Sequence, residues 1–194
     1  MRLKSNATHW GSLAKAFHWT IVLLLLAQGT LGLVMVNLAK PVPKPFVIPY
    51  FTFHKSLGLT ILLLAVLRLG WRLFDRRPEE PASMPKEQVI AARIGHALLY
   101  GLLFAVPLSG WLFDSAAALR PLYWWGLVQV PSLTGGADEG LKELAKAMHF
   151  WLFWSLIAVA AGHAAAALVH HFFNRDDVLR RMLPQPRGST ARIP

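Results

Sequence analysis

Residues 147–173 have the sequence AMHFWLFWSLIAVAAGHAAAALVHHFF, and the interpretation of the whole chain starts from this stretch. It is apolar and longer than the about 20 residues that an α-helix needs to cross a bilayer. His149 and His163 are fourteen residues apart, which in a helix separates them by roughly 40° in direction and about 21 Å in height. One helix face therefore presents an imidazole near each side of a hydrocarbon core about 30 Å thick. Ionisable groups at such depth are costly and are usually functional.

The composition is that of an integral membrane protein. Of the 194 residues, 55% are hydrophobic and only 15% are charged, and the mean hydropathy is +0.42. The chain has no cysteine, which excludes disulfides, zinc thiolate sites, iron–sulfur clusters and covalently attached haem. The net charge of +10 does not indicate nucleic-acid binding, because the basic residues cluster at the ends of apolar segments, as membrane topology requires.

Four apolar segments predict an all-α fold, an integral membrane four-helix bundle that forms a single domain over residues 1–194. The predicted spans are about residues 17–39, 53–74, 94–113 and 147–173, and Pro107 is expected to kink the third. The first apolar run is too long for a cleaved signal peptide. Residues 40–49 are expected to form a short proline-stiffened loop. The longer connection, residues 114–146, contains LRPLYWWGLVQVP, which suits either an interfacial aromatic belt or a lid over a site.

The distribution of lysine and arginine predicts that both termini lie inside the cell. Fourteen such residues fall on the side of the termini and six on the other. The fourteen are Arg2, Lys4, Lys15, Arg68, Arg72, Arg76, Arg77, Lys86, Arg93, Arg175, Arg180, Arg181, Arg187 and Arg192; the six are Lys40, Lys44, Lys55, Arg120, Lys142 and Lys146.

The remaining histidines can be paired with those of the last span by depth. His54 opens the second span on the outer side and is predicted to face His149, whereas His18 opens the first span on the inner side and is predicted to face His163. Facing imidazoles at two levels of a helix bundle are a common way to hold two haems. Each ligand would donate its second ring N–H to a backbone carbonyl or a similar acceptor. Ligation of iron by two histidines suits electron transfer better than oxygen chemistry.

Each of these residues also has a simpler interpretation. A single histidine in a membrane helix can hydrogen-bond to a neighbouring helix, although four that pair by depth favour cofactor binding. Arg68 lies fourteen residues after His54, on nearly the same helix face at the inner level. It could neutralise a haem propionate there, or extend to lipid phosphate.

The chain resembles the bacterial cytochrome b561 family, whose members are four-helix membrane proteins with two b haems. The likeness covers nearly the whole chain and is closest to the member that oxidises superoxide and reduces ubiquinone. It implies that His18, His54, His149 and His163 are the axial ligands of two non-covalent haems, with Arg68 and Lys146 near haem or substrate. The residues that carry it are His18-Trp19, His54, Arg68, Gly95-His96, Tyr100, Pro107, Gly110, Lys146 to His149, the run Gly162 to Ala167 and His170-His171.

The expected function is transmembrane electron transfer from superoxide at the periplasmic face to ubiquinone, in the bacterial inner membrane. The outer lysines could attract a small anion, and Lys146, one turn before His149, is the first candidate; these lysines could also be solvated loop charges. His170, on the His163 face at the inner edge, could deliver a proton to quinone or be an interfacial histidine. His96 could contact a propionate or pack at the interface, and His9 and His171 have no predicted role.

Three other classes of protein were considered from the sequence. A haem b subunit that passes electrons from a periplasmic dehydrogenase or hydrogenase to quinone would use the same ligands. A histidine-cluster di-iron hydroxylase needs its histidines on one side of the membrane, whereas here they divide between two levels. A small transporter would use polar residues at broken helices near the midplane, but the predicted spans contain no carboxylates between their ends.

Overall fold

Four long helices make up most of the structure, a computed structural model in which residues 2–38, 42–80, 84–118 and 121–184 are described. They are α1 (Ser12–Leu38), α2 (Lys44–Phe74), α3 (Lys86–Ala117) and α4 (Glu139–Val169). By length and composition, all four could cross a membrane, which confirms the predicted helical bundle. A two-stranded hairpin of β1 (Leu122–Trp124) and β2 (Val128–Val130) connects α3 to α4, and a π-helical turn (His170–Asn174) and a short α5 (Val178–Met182) follow α4.

The helices extend beyond the spans that hydropathy predicted. With 31 residues, α4 is about 46 Å long, so its first turns project beyond a hydrocarbon core of about 30 Å. The prediction that residues 40–49 form a loop was wrong for residues 44–49, which are the first turns of α2. Pro45 lies in the first turn, where backbone N–H groups have no helical acceptor. Pro49, one turn later, removes only a single backbone hydrogen bond.

Buried side chains lie in the centre of the bundle and where α3 packs on α4. Helix α1 packs on α2, α3 packs on α4, and α2 also contacts α3. The buried cluster lies between α1, α2 and α3 and contains Ile21, Leu57, Ile61, Ala65 and Leu103. Large apolar side chains elsewhere on the helices are exposed, among them Leu23, Leu26, Leu63 and Val66. Exposed apolar surface on this scale is what lipid tails cover in a membrane protein.

At one end of the bundle, hydrogen bonds connect the residues before α1, the short helix α5 and the α2–α3 connection. Ser5 donates its hydroxyl to Asp75 at 2.6 Å, and Trp19 donates its indole N–H to the carbonyl of Met182 at 2.9 Å. Arg181 donates to the carbonyl of Glu79 at 2.8 Å. The part of the chain carrying most of the positive charge thus lies at one end, which is the end predicted to face the cytoplasm.

The hairpin is the part of the fold that the all-α prediction missed. Its turn places Trp125 and Gly126 at φ of 54° and 73°, the left-handed conformation that hairpin turns of this kind require. Ser56 of α2 accepts from the backbone N–H of Trp125 at 3.0 Å, and Thr60 accepts from the indoles of Trp124 and Trp125 at 3.0 and 2.9 Å. These bonds hold the hairpin against α2 within two turns of His54 along the chain.

Candidate functional site

The structure brings together two pairs of histidine rings at opposite ends of the bundle. His54 of α2 faces His149 of α4 with a distance of 6.3 Å between ring centres. His18 of α1 faces His163 of α4 at 6.4 Å. Both contacts are the ones that depth alone predicted. Helix α4 therefore supplies one imidazole to each level, and α1 and α2 supply the partners.

These distances suit a metal ion between the rings of each pair. With metal–nitrogen bonds of roughly 2 Å, two imidazoles on opposite sides of one ion have ring centres about 6 Å apart. Among the described residues, no group of three or more histidine, aspartate or glutamate side chains could hold an ion. Two imidazoles are the number that haem iron takes as axial ligands, since the porphyrin supplies the other four nitrogens. The two pairs thus fit haem.

Two glycines allow the outer rings to approach neighbouring helices closely. A Cβ atom on Gly110 of α3 would lie 3.0 Å from Cε1 of His149, and one on Gly32 of α1 would lie 3.3 Å from Cε1 of His54. Both distances are at or below normal van der Waals contact. A larger residue at position 110 would therefore press against the His149 ring.

The second ring nitrogen of His149 has the partner expected of a metal ligand. Its Nδ1 lies 2.9 Å from the carbonyl oxygen of Val106 and 3.1 Å from the hydroxyl of Ser109. A carbonyl only accepts hydrogen bonds, so Nδ1 must carry the proton and Nε2 keeps a free lone pair. This is the arrangement in which an imidazole can bind iron through Nε2.

At the inner level Arg68 occupies the neighbourhood predicted for it. Its Nη2 lies 3.2 Å from Nδ1 of His18, and its guanidinium is 5.5 Å from the ring centre of Tyr100. A guanidinium only donates, so in this contact Nδ1 of His18 accepts and Nε2 holds the proton. Binding of iron by His18 would need the opposite tautomer, and Arg68 would then have to turn to another acceptor, such as a propionate.

His96 of α3 belongs to the inner cluster, which its sequence position alone did not establish. Its ring centre is 5.2 Å from that of His163, too short for the two rings to bind one ion from opposite sides, which needs about 6 Å. The distance of 6.4 Å makes His18 the better partner. His96 therefore packs beside His163. The sequence could have indicated this contact, because His96 lies near the start of the third span, as His18 does in the first.

His170 lies in the π-helical turn after α4 and is held by a carboxylate. Its Nδ1 is 2.5 Å from Oδ2 of Asp176, and both side chains are largely buried. Asn174 contacts the same nitrogen at 3.3 Å. The pairing of Asp176 with His170 was not predictable from the sequence, because it depends on the backbone reversal at Arg175, whose φ is 54°.

The outer lysines have acidic neighbours. Lys146 is 59% exposed and lies 3.2 Å from Glu143, and Lys142 lies 2.8 Å from Glu139. Lys55 forms an ion pair with Asp114 between α2 and α3. The side chain of Lys44 and all of Lys40 and Arg120 lie outside the described residues. Counting basic residues alone therefore overstated the positive field near the outer pair.

Gln28 is a further polar residue that the sequence reasoning passed over. It lies in the middle of α1 within an apolar run, and its side-chain Nε2 donates to the backbone carbonyl of His54 at 2.9 Å. Its Oε1 and Nδ1 of His54 are both buried without a hydrogen-bond partner in the described structure. The sequence could have indicated this role, because Gln28 is an amide within an apolar run and polar groups inside a membrane need partners.

Comparison with known proteins agrees with this geometry. A family model described as prokaryotic cytochrome b561 matches residues 9–185. The chain belongs to the prokaryotic cytochrome b561 family. It is 35% identical over 184 residues to cytochrome b561 homolog 2 of Escherichia coli (strain K12), covering 94% of this chain and 95% of that protein.

Two further relatives bear on the electron donor and on the extent of the family. The protein named probable superoxide oxidase CybB, of Yersinia pestis, is 29% identical over 174 residues, covering 88% of this chain and 93% of the relative. Cytochrome b561 homolog 1 of E. coli is 30% identical over 136 residues, covering 68% and 73%. Family membership makes the chain a multi-pass electron-transfer protein of the bacterial inner membrane and implies b-type haem.

A substitution at Gly110 tests whether His149 belongs to a haem site. We expect Gly110→Ala to displace the His149 ring, to destabilise the protein by about 1–3 kcal/mol as overpacking does, and to alter one component of the reduced-minus-oxidised haem spectrum. Gly101→Ala is the matched control. Gly101 lies on the same helix as Gly110, but a Cβ there would meet nothing within 4 Å. A Gly110→Ala spectrum identical to that of the Gly101→Ala protein would show that His149 is not at a haem.

Proposed function

We propose that the protein is a transmembrane di-haem cytochrome b that oxidises superoxide at the periplasmic face and reduces ubiquinone. The observation that carries the proposal is the pair of facing imidazoles at each end of one membrane helix, with ring centres 6.3 and 6.4 Å apart. When bound, the haems would supply one-electron redox centres at two depths of the membrane. In the overall reaction, two superoxide anions give one electron each and leave as dioxygen, while ubiquinone takes two electrons and two protons.

The proposed ligands are His54 with His149 and His18 with His163. For His149 the support is its hydrogen bond to Val106, which leaves Nε2 free for iron. For the inner pair the support is the ring distance, together with Arg68, a cation in contact with His18 that can neutralise a propionate once it turns away from the ring. His96 is left out of the proposed ligand set because its ring lies too close to that of His163 for the two to bind one iron from opposite sides.

Superoxide is the proposed donor for two reasons. A relative of nearly the same length bears the name probable superoxide oxidase, and Lys146, 59% exposed, lies one turn before His149 on α4. An exposed ion pair contributes little to stability and opens readily, so the Lys146 ammonium can still interact with an incoming anion. The carboxylate of Glu143 reduces the positive charge of Lys146. Variants that change the charge of either residue therefore test this proposal.

His170 is proposed to serve the quinone end. Asp176 holds Nδ1 of its ring at 2.5 Å, and a carboxylate in this position fixes the orientation of an imidazole. The ring could then pass a proton from its other nitrogen to a reduced quinone oxygen. Its place at the end of α4, two turns beyond His163, puts this proton source at the inner level.

The mixed charges at the outer end of α4 favour one alternative function. Glu139, Lys142, Glu143 and Lys146 form alternating exposed ion pairs, a surface suited to docking a protein with complementary charges. In that case the chain would be the cytochrome b subunit that passes electrons from a periplasmic dehydrogenase or hydrogenase to the quinone pool.

Histidine substitutions test the proposed ligand set. We expect His149→Ala to remove the outer haem or convert it to high spin, and His163→Ala to do so for the inner haem, because each loses one of two axial bonds. His96→Ala is the control, with both haems kept in low-spin form. Optical and electron paramagnetic resonance spectra distinguish the two centres, and an identical effect of the first two variants on one centre would contradict the assignment to two levels.

Rapid mixing of the haem-loaded protein, first with superoxide and then with a short-chain ubiquinone, tests the function. We expect Lys146→Glu to slow haem reduction severalfold and Glu143→Gln to accelerate it, since one adds and the other removes negative charge near the outer site. Both differences should shrink at high salt, which screens exposed charges. His170→Gln should leave haem reduction unchanged and slow the reoxidation by quinone.

Two results would count against the superoxide proposal. If superoxide does not reduce the wild-type haems, the docking alternative is favoured. If it reduces them at a rate that neither outer variant changes at low salt, Lys146 has no part in capture of the anion.

A further inference from the structure

Two buried polar atoms without a hydrogen-bond partner among the described residues belong to residues that contact each other at the outer pair, Gln28 and His54. Gln28 reaches from α1 to α2 and donates from Nε2 to the carbonyl oxygen of His54 at 2.9 Å. Its own Oε1 is buried without a partner among the described residues, and so is Nδ1 of His54. A buried polar group without a hydrogen-bond partner destabilises the protein, and here two such atoms lie on residues that already contact each other.

The amide of Gln28 can have only one orientation in this contact. The carbonyl of His54 accepts hydrogen bonds, so the NH₂ group must face it and Oε1 must face elsewhere. Two glycines leave room for the contact: a Cβ on Gly58 would lie 3.3 Å from Nε2 of Gln28, and one on Gly32 would lie 3.3 Å from Cε1 of His54. Gly32 follows Gln28 by one turn of α1, so the ring of His54 and the amide lie on the same side of that helix.

The two ligands of the outer pair differ in their second nitrogen. His149 already has the carbonyl of Val106 at 2.9 Å, whereas His54 has no acceptor. A histidine that binds iron through Nε2 carries its proton on Nδ1, and ligating histidines almost always donate that proton. Binding of haem would therefore turn the unpaired Nδ1 of His54 into a donor. The unpaired acceptor Oε1 belongs to Gln28, whose amide already contacts the backbone of His54.

We propose that the side-chain oxygen of Gln28 accepts the hydrogen bond from Nδ1–H of His54, directly or through one water molecule, and thereby orients His54 and lowers the potential of the outer haem. This inference rests on the proposed haem ligation. An acceptor on the far nitrogen makes the imidazole more electron-donating, which favours the oxidised iron. Gln28 is thus a positioning residue that acts through His54.

Potentiometric titration of Gln28 variants tests the proposal, with paramagnetic resonance spectra of both haems. Gln28→Leu removes the acceptor, so we expect the outer haem to shift to a higher potential and to change its spectrum while the inner haem stays as in wild type. Asn37→Leu is the matched control. It removes an amide from the same helix whose one hydrogen bond among the described residues is to the carbonyl of Leu33, at 2.8 Å. It should change neither potential.

Gln28→Glu keeps the test decisive if the leucine variant loses the outer haem. A protonated glutamate can donate to the His54 carbonyl and accept from Nδ1–H, and an ionised one accepts more strongly, so the outer potential should equal that of wild type or lie below it. A raised potential in Gln28→Glu, or an unchanged outer haem in Gln28→Leu, would overturn the proposal. Wild-type protein that binds fewer than two haems would instead overturn the proposed function on which it rests.

Discussion

The pairing of imidazoles across the bundle is the interaction on which the rest of the structure depends. Four histidines within apolar helices would be costly in a hydrocarbon environment if each stood alone. Placing two of them fourteen residues apart on α4 forces α1 and α2 to present their own histidines at matching depths. The close packing of α3 on α4 and of α1 on α2 then leaves each pair of rings facing across the bundle. The fold is in this sense built around two sites of similar dimensions.

The two sites differ in what surrounds them. At the outer site, Val106, Ser109 and two glycines fix the rings, and the hairpin packs on α2 nearby through Ser56 and Thr60. At the inner site, Arg68 contacts His18 and His96 packs beside His163. The residues before α1 and the short helix α5 form hydrogen bonds at the same end of the bundle. This asymmetry gives the outer site a neutral, closely fitted environment and the inner site a cationic one, which suits a negatively charged group such as a propionate.

Periodicity and charge in the sequence predicted the four helices, the pairing of the histidines by depth and the position of Arg68, because all three depend on regular helix geometry. They did not predict the hairpin, since the aromatic content that suits a membrane interface also suits a strand. The contact of His96 with His163 depends on how α3 packs on α4, and the pairing of His170 with Asp176 depends on a left-handed residue. The acidic partners of Lys55, Lys142 and Lys146 were passed over because the topology argument counts basic residues only.

The number of haems bound per chain tests the central claim most directly. Purified protein can be assayed by the pyridine haemochrome method against protein concentration from amino-acid analysis, with extraction by acidic organic solvent to confirm that the haem is not covalently attached. We expect two extractable b haems per chain, both low-spin in the oxidised protein. A value of one haem per chain in fully loaded protein would contradict the arrangement of two sites along α4.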